Sequence, residues 1–440
     1  MSLTDHPDRV RLANELHARP FPLLDPAGRV SHLAIAAPPG KQEAAKQHML
    51  DLCERLGASR PSLSAPQHNL DAGRFRVKWE WHTEFLALTV IAGPASPSHT
   101  PFADPAIDLL PKDWIAGLTG EVLAAIHIHC ESLDAGEGFG SPYIPRHLAP
   151  HFSDDSLVGA SMFEDNARFW GDFRIHEDGY MRFAVRSLHG FERPLMGRIV
   201  QRLIEVETYR AIAMLALPAA RGVWPKLNEI DTALAETTAA VGGGSTETER
   251  AMLDRITELS ARIETITAEN AYRLDASRAY AAIVGRRIDV LSAAPLKGQM
   301  NLKSFMNRRF DPAMHSCEAT RARLSTLSER AERAATLLRT RIDVTLEEQN
   351  REVLSSMNER TARQLRLQET VEGLSVVAIG YYAVSLAALL VMPIAKGAGL
   401  SETMAKALLV VPVILLVWMF VRSVKNKAMA ASGGEGDTPT

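Results

Sequence analysis

The segment LSVVAIGYYAVSLAALLVMPI, residues 374–394, decides the fold class, because it carries no charged side chain along its length. A helix needs roughly 20 apolar residues to cross a bilayer, and this segment provides them. A second apolar segment, at residues 405–421, follows after a short connection. The pattern predicts a two-helix transmembrane hairpin at residues 373–422, with spans at about 374–394 and 405–421.

Basic residues near the spans predict the orientation of this hairpin. The first span is preceded by Arg351, Arg360, Arg363 and Arg366, and the second is followed by Arg422, Lys425 and Lys427. Lys396 and Lys406 lie between the uncharged runs 374–394 and 407–421. Basic residues accumulate on the cytoplasmic side of membrane proteins. We therefore expect a protein of the cytoplasmic (inner) membrane, with the lipid bilayer as partner and both the N- and C-termini cytoplasmic. Residues 423–440 are predicted to form a disordered tail, basic and then polar.

Residues 246–372 show the apolar spacing of a coiled coil, with steps of three and four residues along the chain. Two prolines place a break near residues 293–312, which divides the region into two long helices. The spacing predicts an antiparallel helical coiled-coil stalk. A helical segment at residues 191–241 is expected to pack on the N-terminal domain. We expect homo-oligomers through the stalk and the spans, and the charged stalk surface allows a cytosolic protein partner.

The N-terminal residues 1–190 have a different period. FRVKWEWH, residues 75–82, alternates apolar and polar side chains, which is typical of a strand with one buried face. EVLAAIHIHC, residues 121–130, predicts another strand, and helical segments lie between the strands. The predicted fold class is an α+β cytosolic domain, followed by the long antiparallel coiled-coil stalk and the C-terminal transmembrane hairpin.

The strand at residues 121–130 carries the best candidate for a metal site. His127, His129 and Glu131 project from one face of a strand about 7 Å apart, so their side chains can converge on a divalent metal ion. The alternative is that they are polar residues on a half-buried strand.

Two further groups of polar residues are candidate sites. Glu15, His17 and Arg19 lie where Pro20 ends a predicted helix, and a helix C-terminus attracts cations without any catalysis. His82 and Glu84 are explained equally well by cross-strand charge pairing. A general acid or base would need one of these histidines to meet a carboxylate in a cleft.

Composition and missing motifs exclude several functions. The net charge of −3 argues against nucleic-acid binding, and three cysteines are too few for a disulfide framework. The sequence contains no phosphate-binding glycine loop, GxSxG, HExxH or CxxC motif. We therefore predict no resident cofactor and favour a non-enzymatic protein, although the sequence leaves enzymatic activity undecided.

Five sequence blocks resemble a known family. They are NELHARPF, WEWHTEF, GRIVQRLIEVETYRAIAMLALP, LLRTRIDVTLEEQN and LQETVEGLSVVAIGYY, and together they are similar to the bacterial membrane-anchored family called domain of unknown function 3422. The resemblance implies no catalytic residue, substrate or cofactor. The layout alone is also similar to that of CorA-type magnesium transporters, but their Gly-Met-Asn signature does not follow the first span.

Three functional hypotheses follow. The first is a non-enzymatic, membrane-anchored oligomeric scaffold or partner-binding protein. The second is a CorA-like cation channel or transporter, whose pore would be lined by Ser375, Tyr382 and Ser385. The apolar runs 374–394 and 407–421 contain no Asp, Glu, His, Lys or Arg that could line it. The third is a metal-binding sensor or enzyme on the cytosolic face.

Overall fold

The chain forms two compact units, Met1–Thr336 and Leu337–Thr440. The computed structural model describes residues 5–16, 21–36, 42–62, 65–94, 100–241, 246–291, 293–397 and 402–432. As predicted, a domain of sheet and helices comes first and long helices follow it in the sequence. The end of the predicted tail, residues 433–440, lies outside the described residues.

The helices and strands have the following bounds. The helices are α1 Arg9–Leu16, α2 Gln42–Arg55, α3 Lys112–Ala116, α4 Arg193–Met214, α5 Ala216–Ala239, α6 Thr246–Val290, α7 Leu302–Arg309, α8 Asp311–Gly397 and α9 Glu402–Ser432. The strands are β1 Gly28–Ala36, β2 Gln67–Asp71, β3 Phe75–Trp81, β4 Phe85–Ala92, β5 Glu121–Ser132, β6 Val158–Met162, β7 Ala167–Gly171, β8 Met181–Ser187 and β9 Ala294–Pro295.

The described strands form one nine-stranded sheet in the order β2-β3-β4-β1-β5-β8-β7-β6-β9. Neighbouring strands are antiparallel, apart from the parallel pair β5 and β8. The last strand, β9, comes from the proline-containing segment that the sequence predicts as a break between stalk helices. It pairs with Ala160 and Ser161 of β6, so this segment completes the sheet.

Helices cover both faces of the sheet. Successive side chains of a strand point to opposite faces, so apolar strands give both faces an apolar surface. Val30 of β1 belongs to a core that contains Ile199 and Leu203 of α4. Leu33 of the same strand points to the opposite face and belongs to a second core that contains Met49 of α2. The sheet is therefore a middle layer, with α4 on one side and α2 on the other.

The long helix α6 packs on α4 and α5. Several residues that follow the three- and four-residue spacing along α6 are buried, including Ile256, Ile263, Leu274, Ser277, Val284 and Ile288. On α5, Asp231 forms ion pairs with Arg323 and Arg330 of α8. The Ser277 hydroxyl of α6 also lies 3.4 Å from the Met314 sulfur of α8. An antiparallel coiled coil of α6 with α8 stays a prediction.

The second unit contains two helical segments that are long and apolar enough to cross a membrane, one within Leu302–Val391 and one at Lys406–Ser423. Many of their large apolar side chains are exposed, including Leu374, Val377, Leu390, Leu408 and Phe420. α8 and α9 meet where Gly380 faces Ile414, since a Cβ at Gly380 would lie 3.8 Å from the Ile414 Cγ1 atom.

Candidate functional site

A cavity of about 160 Å³ lies between the sheet and α4, and we name it the Lys78 cavity. Strands β1, β3 and β4 provide His32, Lys78, Glu80 and Ala87 on one side. The other side consists of residues of α4, with Arg287 of α6 and with Phe21 and Pro22. The cavity combines apolar surface with several ionisable groups, as small-molecule sites do.

A buried ion pair lies on the sheet side of the cavity. Lys78 Nζ lies 3.1 Å from Glu80 Oε1, and the two side chains are only 7% and 13% exposed. Their neighbours on β3, Val77 and Trp79, face the opposite core. The alternation along β3 is thus as predicted, but α4 covers the face that the sequence presents as polar. A buried charge is retained only when it is paired, so this pair has to persist in the folded protein.

His32 of β1 is held on both ring nitrogens. Nδ1 lies 2.8 Å from Thr89 Oγ1, and Nε2 lies 3.2 Å from Thr208 Oγ1 on α4. Burial, together with the nearby positive charges of His82 and Lys78, lowers the pKa of His32 to about 3. The imidazole is therefore neutral near pH 7 and links the sheet to α4.

The helical side of the cavity has a second ion pair, in which Arg287 Nε lies 2.5 Å from Glu205 Oε2. Gln201, one turn earlier on α4, donates a hydrogen bond of 3.0 Å to Glu205 Oε1. The other end of that amide, Gln201 Oε1, is buried and accepts no hydrogen bond. The cavity is thus bordered by two ion pairs, and its lining includes the unsatisfied acceptor Gln201 Oε1.

Residues 21–24, which we call the strap, contact α4, and Phe21 and Pro22 of the strap line the cavity. The guanidinium groups of Arg198 and Arg202 lie 5.9 Å and 5.6 Å from the centre of the Phe21 ring. Further along, the Leu24 N–H donates a hydrogen bond of 3.3 Å to the Arg193 carbonyl. At Gly197 the approach is so close that an added Cβ would lie 1.7 Å from the Pro22 carbonyl oxygen. Glycine at this position allows the strap to lie on α4.

Replacing Gly197 with alanine is expected to lower the free energy of unfolding by about 2 kcal/mol, because the strap backbone must move. Urea unfolding followed by tryptophan fluorescence measures this change. Gly222→Ala in α5 is the matched control, since an added Cβ meets no atom within 4 Å there. Alanine is more favourable than glycine in a helix by up to about 1 kcal/mol, so Gly222→Ala should leave stability unchanged or raise it. Equal stability of the Gly197→Ala variant and the wild type would contradict the close approach.

The predicted metal residues share one face of β5, but their side chains have different partners. His127 Nδ1 lies 2.9 Å from Ser31 Oγ, and its ring stacks on Tyr180 at 3.8 Å. Glu131 is 2.8 Å from His147 Nε2 and 3.6 Å from His129 Nε2. Among the described residues, no group of three or more His, Cys, Asp or Glu is placed to hold a metal ion. A metal at this strand stays a prediction.

Glu131 also pairs with Arg186, whose Nε lies 3.0 Å from Glu131 Oε1. Burial opposes ionisation of Glu131, but the imidazoles of His129 and His147 and the Arg186 charge outweigh it and lower its pKa. The carboxylate therefore already has one cationic partner, Arg186, and two imidazole partners from the protein.

The remaining candidates lie apart from one another. His82 stacks on Phe85 at 4.1 Å and borders the Lys78 cavity. Glu84 accepts hydrogen bonds from Tyr272 and Arg273 of α6 and so ties the start of β4 to that helix. His17 and Arg19, and the side chain of Glu15 in α1, lie outside the described residues.

The predicted pore residues are on the apolar part of α8. The Ser375 and Ser385 hydroxyls each donate a hydrogen bond of 2.8 Å to a carbonyl of their own helix, at Val371 and Tyr381. The Tyr382 side chain is exposed. These contacts leave a pore-lining role as a prediction.

The sequence reading missed His32, Gln201 and Arg287. A single polar pair, Ser31 and His32, interrupts the otherwise apolar run VSHLAIA of β1, which is a usable signal for buried polar contacts. Gln201 and Arg287 lie on amphipathic helices and carry no local signal, because only the packing of α4 and α6 brings them to the cavity.

A sequence model described as "Protein of unknown function (DUF3422)" matches residues 4–428. This match covers most of the 440 residues, so the chain belongs to that family. The comparisons with curated proteins and with solved structures give no match. The likeness in layout to CorA-type transporters therefore gains no support from them.

Proposed function

We propose that this family member is a non-enzymatic, two-span scaffold of the cytoplasmic (inner) membrane. In this proposal the sheet unit is cytosolic and binds a partner, both termini are cytoplasmic, and the copies assemble through the stalk and the spans. The apolar parts of α8 and α9 anchor the chain.

One observation carries the anchoring: large apolar side chains on both candidate spans are exposed. Leu374 is 69% exposed, Leu390 76% and Leu408 80%. Each square ångström of apolar surface in water costs about 25 cal/mol, so a continuous exposed band needs a nonaqueous environment. A bilayer supplies it, and the contact of Gly380 with Ile414 is compatible with two adjacent spans.

Binding is favoured over catalysis by the state of the histidine in the Lys78 cavity. A general acid or base works best with a pKa near the working pH. His32 has a pKa lowered to about 3 by burial and by neighbouring His82 and Lys78, and both its nitrogens have hydrogen-bond partners. Such a group positions two secondary-structure elements and does not transfer protons near pH 7.

Variants with one added cysteine each test the proposed orientation. Cys53, Cys130 and Cys317 are buried, so they give a low labelling background. In intact cells a membrane-impermeant maleimide should label Thr403→Cys, between the spans, from the outside. It should label Ser356→Cys and Ser423→Cys, which are exposed in the structure, only after the cells are permeabilised. Labelling of Ser356→Cys in intact cells would contradict cytoplasmic termini.

The Ser356→Cys variant also tests assembly through α8. Copies that pair through this helix should form a disulfide-linked dimer on mild oxidation in membranes, while Thr403→Cys serves as the comparison. A monomer under these conditions and after detergent extraction would contradict the oligomeric scaffold.

A further inference from the structure

We propose that the Lys78 cavity binds a small zwitterion with the size and charge pattern of an α-amino acid that has an apolar side chain. The inference concerns the first unit alone and does not depend on membrane anchoring. It rests on the volume of the cavity, its charge balance, its unsatisfied acceptor and its apolar surface.

The volume limits the size of the ligand. The cavity measures about 160 Å³. A dry protein cavity of about 150 Å³ accepts benzene, so the space suits about six to ten non-hydrogen atoms. A nucleotide, lipid or peptide would extend beyond this volume, whereas an amino acid such as leucine fits within it.

The charge balance selects a ligand without net charge. Lys78 and Glu80 cancel on the sheet side, and Glu205 and Arg287 cancel on the helical side. An anion or a cation would add an uncompensated charge to a site of low dielectric constant, which is strongly unfavourable. A zwitterion adds one charge of each sign, and each can meet an opposite charge of the cavity.

The unsatisfied acceptor indicates the position of the cationic end. Gln201 Oε1 is buried without a hydrogen-bond donor, beside the Glu205 carboxylate that accepts from the same amide. Leaving a buried acceptor unpaired is unfavourable, and a donated hydrogen bond recovers that loss. An ammonium group placed here donates to Gln201 and lies next to Glu205.

Apolar residues provide the rest of the contact surface. Phe85 and Ile91 of β4 face Val200 and Ile204 of α4 across the cavity. Phe21 of the strap also lines the cavity and is 42% exposed. An aliphatic side chain of the ligand would pack among these residues.

Calorimetry on the full chain in detergent tests the proposal with three matched probes: leucine, isocaproate, which lacks the ammonium group, and isoamylamine, which lacks the carboxylate. We expect leucine to bind at least about tenfold more tightly than either analogue, a difference of about 1.4 kcal/mol, because each analogue brings one uncompensated charge into the cavity. Similar affinity for all three, or no heat with leucine at millimolar concentration, would overturn the proposal.

Two variants locate the binding site. Ala87→Leu fills the cavity and should abolish leucine binding. Gln201→Leu removes the acceptor and should weaken leucine binding about tenfold, and it keeps the test valid if the first variant does not fold. The matched control is Gln47→Leu on α2, an exposed position outside the cavity lining, which should bind like the wild type. Unchanged binding in Gln201→Leu would place the ligand elsewhere.

Discussion

Replacing Arg210 with methionine is expected to lower the free energy of unfolding by about 3 kcal/mol, because it leaves a buried carboxylate without its partner. Glu207 on α4 is 1% exposed. Arg210 holds it with two hydrogen bonds, from Nε to Oε2 at 2.7 Å and from Nη2 to Oε1 at 2.6 Å. Urea unfolding of the full chain in detergent measures the loss.

The double variant Glu207→Met with Arg210→Met is the control for this result. Replacing a buried ion pair by apolar side chains of similar volume is often neutral, so the double variant should lie within about 1 kcal/mol of the wild type. If the double variant were as unstable as Arg210→Met alone, the loss would come from packing and not from the uncompensated charge.

Lowering the pH from 7.5 to 5 is expected to reduce the free energy of unfolding by about 4 kcal/mol, with two buried histidines contributing about 2 kcal/mol each. Burial, with the positive charges of His82 and Lys78, lowers the pKa of His32 to about 3. Burial likewise lowers the pKa of His127 to about 4. In the unfolded chain both histidines have the usual histidine pKa of about 6.5.

The sign follows from proton binding. Between about pH 6.5 and pH 4 the unfolded chain binds protons on both histidines, while the folded chain does not. Their contribution to stability is fully present above about pH 6.5 and is lost as the pH falls towards the folded-state pKa values. Carboxylates with lowered pKa, such as Glu131, act in the same direction only below about pH 4.5.

Tryptophan fluorescence suits this measurement, because Trp79, Trp81, Trp114, Trp170 and Trp224 lie in the first unit. His32→Gln should show about half the loss of the wild type between pH 7.5 and pH 5. An identical pH dependence in both proteins would show that His32 is not held neutral by burial.

The strand β3 shows how far a local pattern predicts the fold. The period of two in FRVKWEWH correctly predicts a strand with Val77 and Trp79 on one buried face. The same pattern presents Lys78 and Glu80 as solvent-exposed, whereas α4 covers them. That cover comes from residues more than about 100 positions later, and a local period contains no information about such a contact.

For the candidate sites, too, the local pattern predicts strand positions but not the long-range contacts. The sequence correctly places the side chains of His127, His129 and Glu131 on one face of β5. It does not show that Ser31 and Tyr180 engage His127, since those contacts depend on strand pairing and on the connection before β8. The Lys78 cavity needs the sheet, α4, α6 and the strap together, so composition and spacing do not predict it.

The late strand β9 has a consequence for the order in which the chain folds. β6 cannot pair with Ala294 and Pro295 until these residues are synthesised, roughly 130 residues after it. Long-range pairing of this kind slows folding. Until then β6 is an open sheet edge, which is a template for aggregation. Leu302, Phe305 and Phe310 join the same core. A water-soluble fragment must therefore extend beyond Phe310, because one that ends after β8 would leave both the edge and this core uncovered.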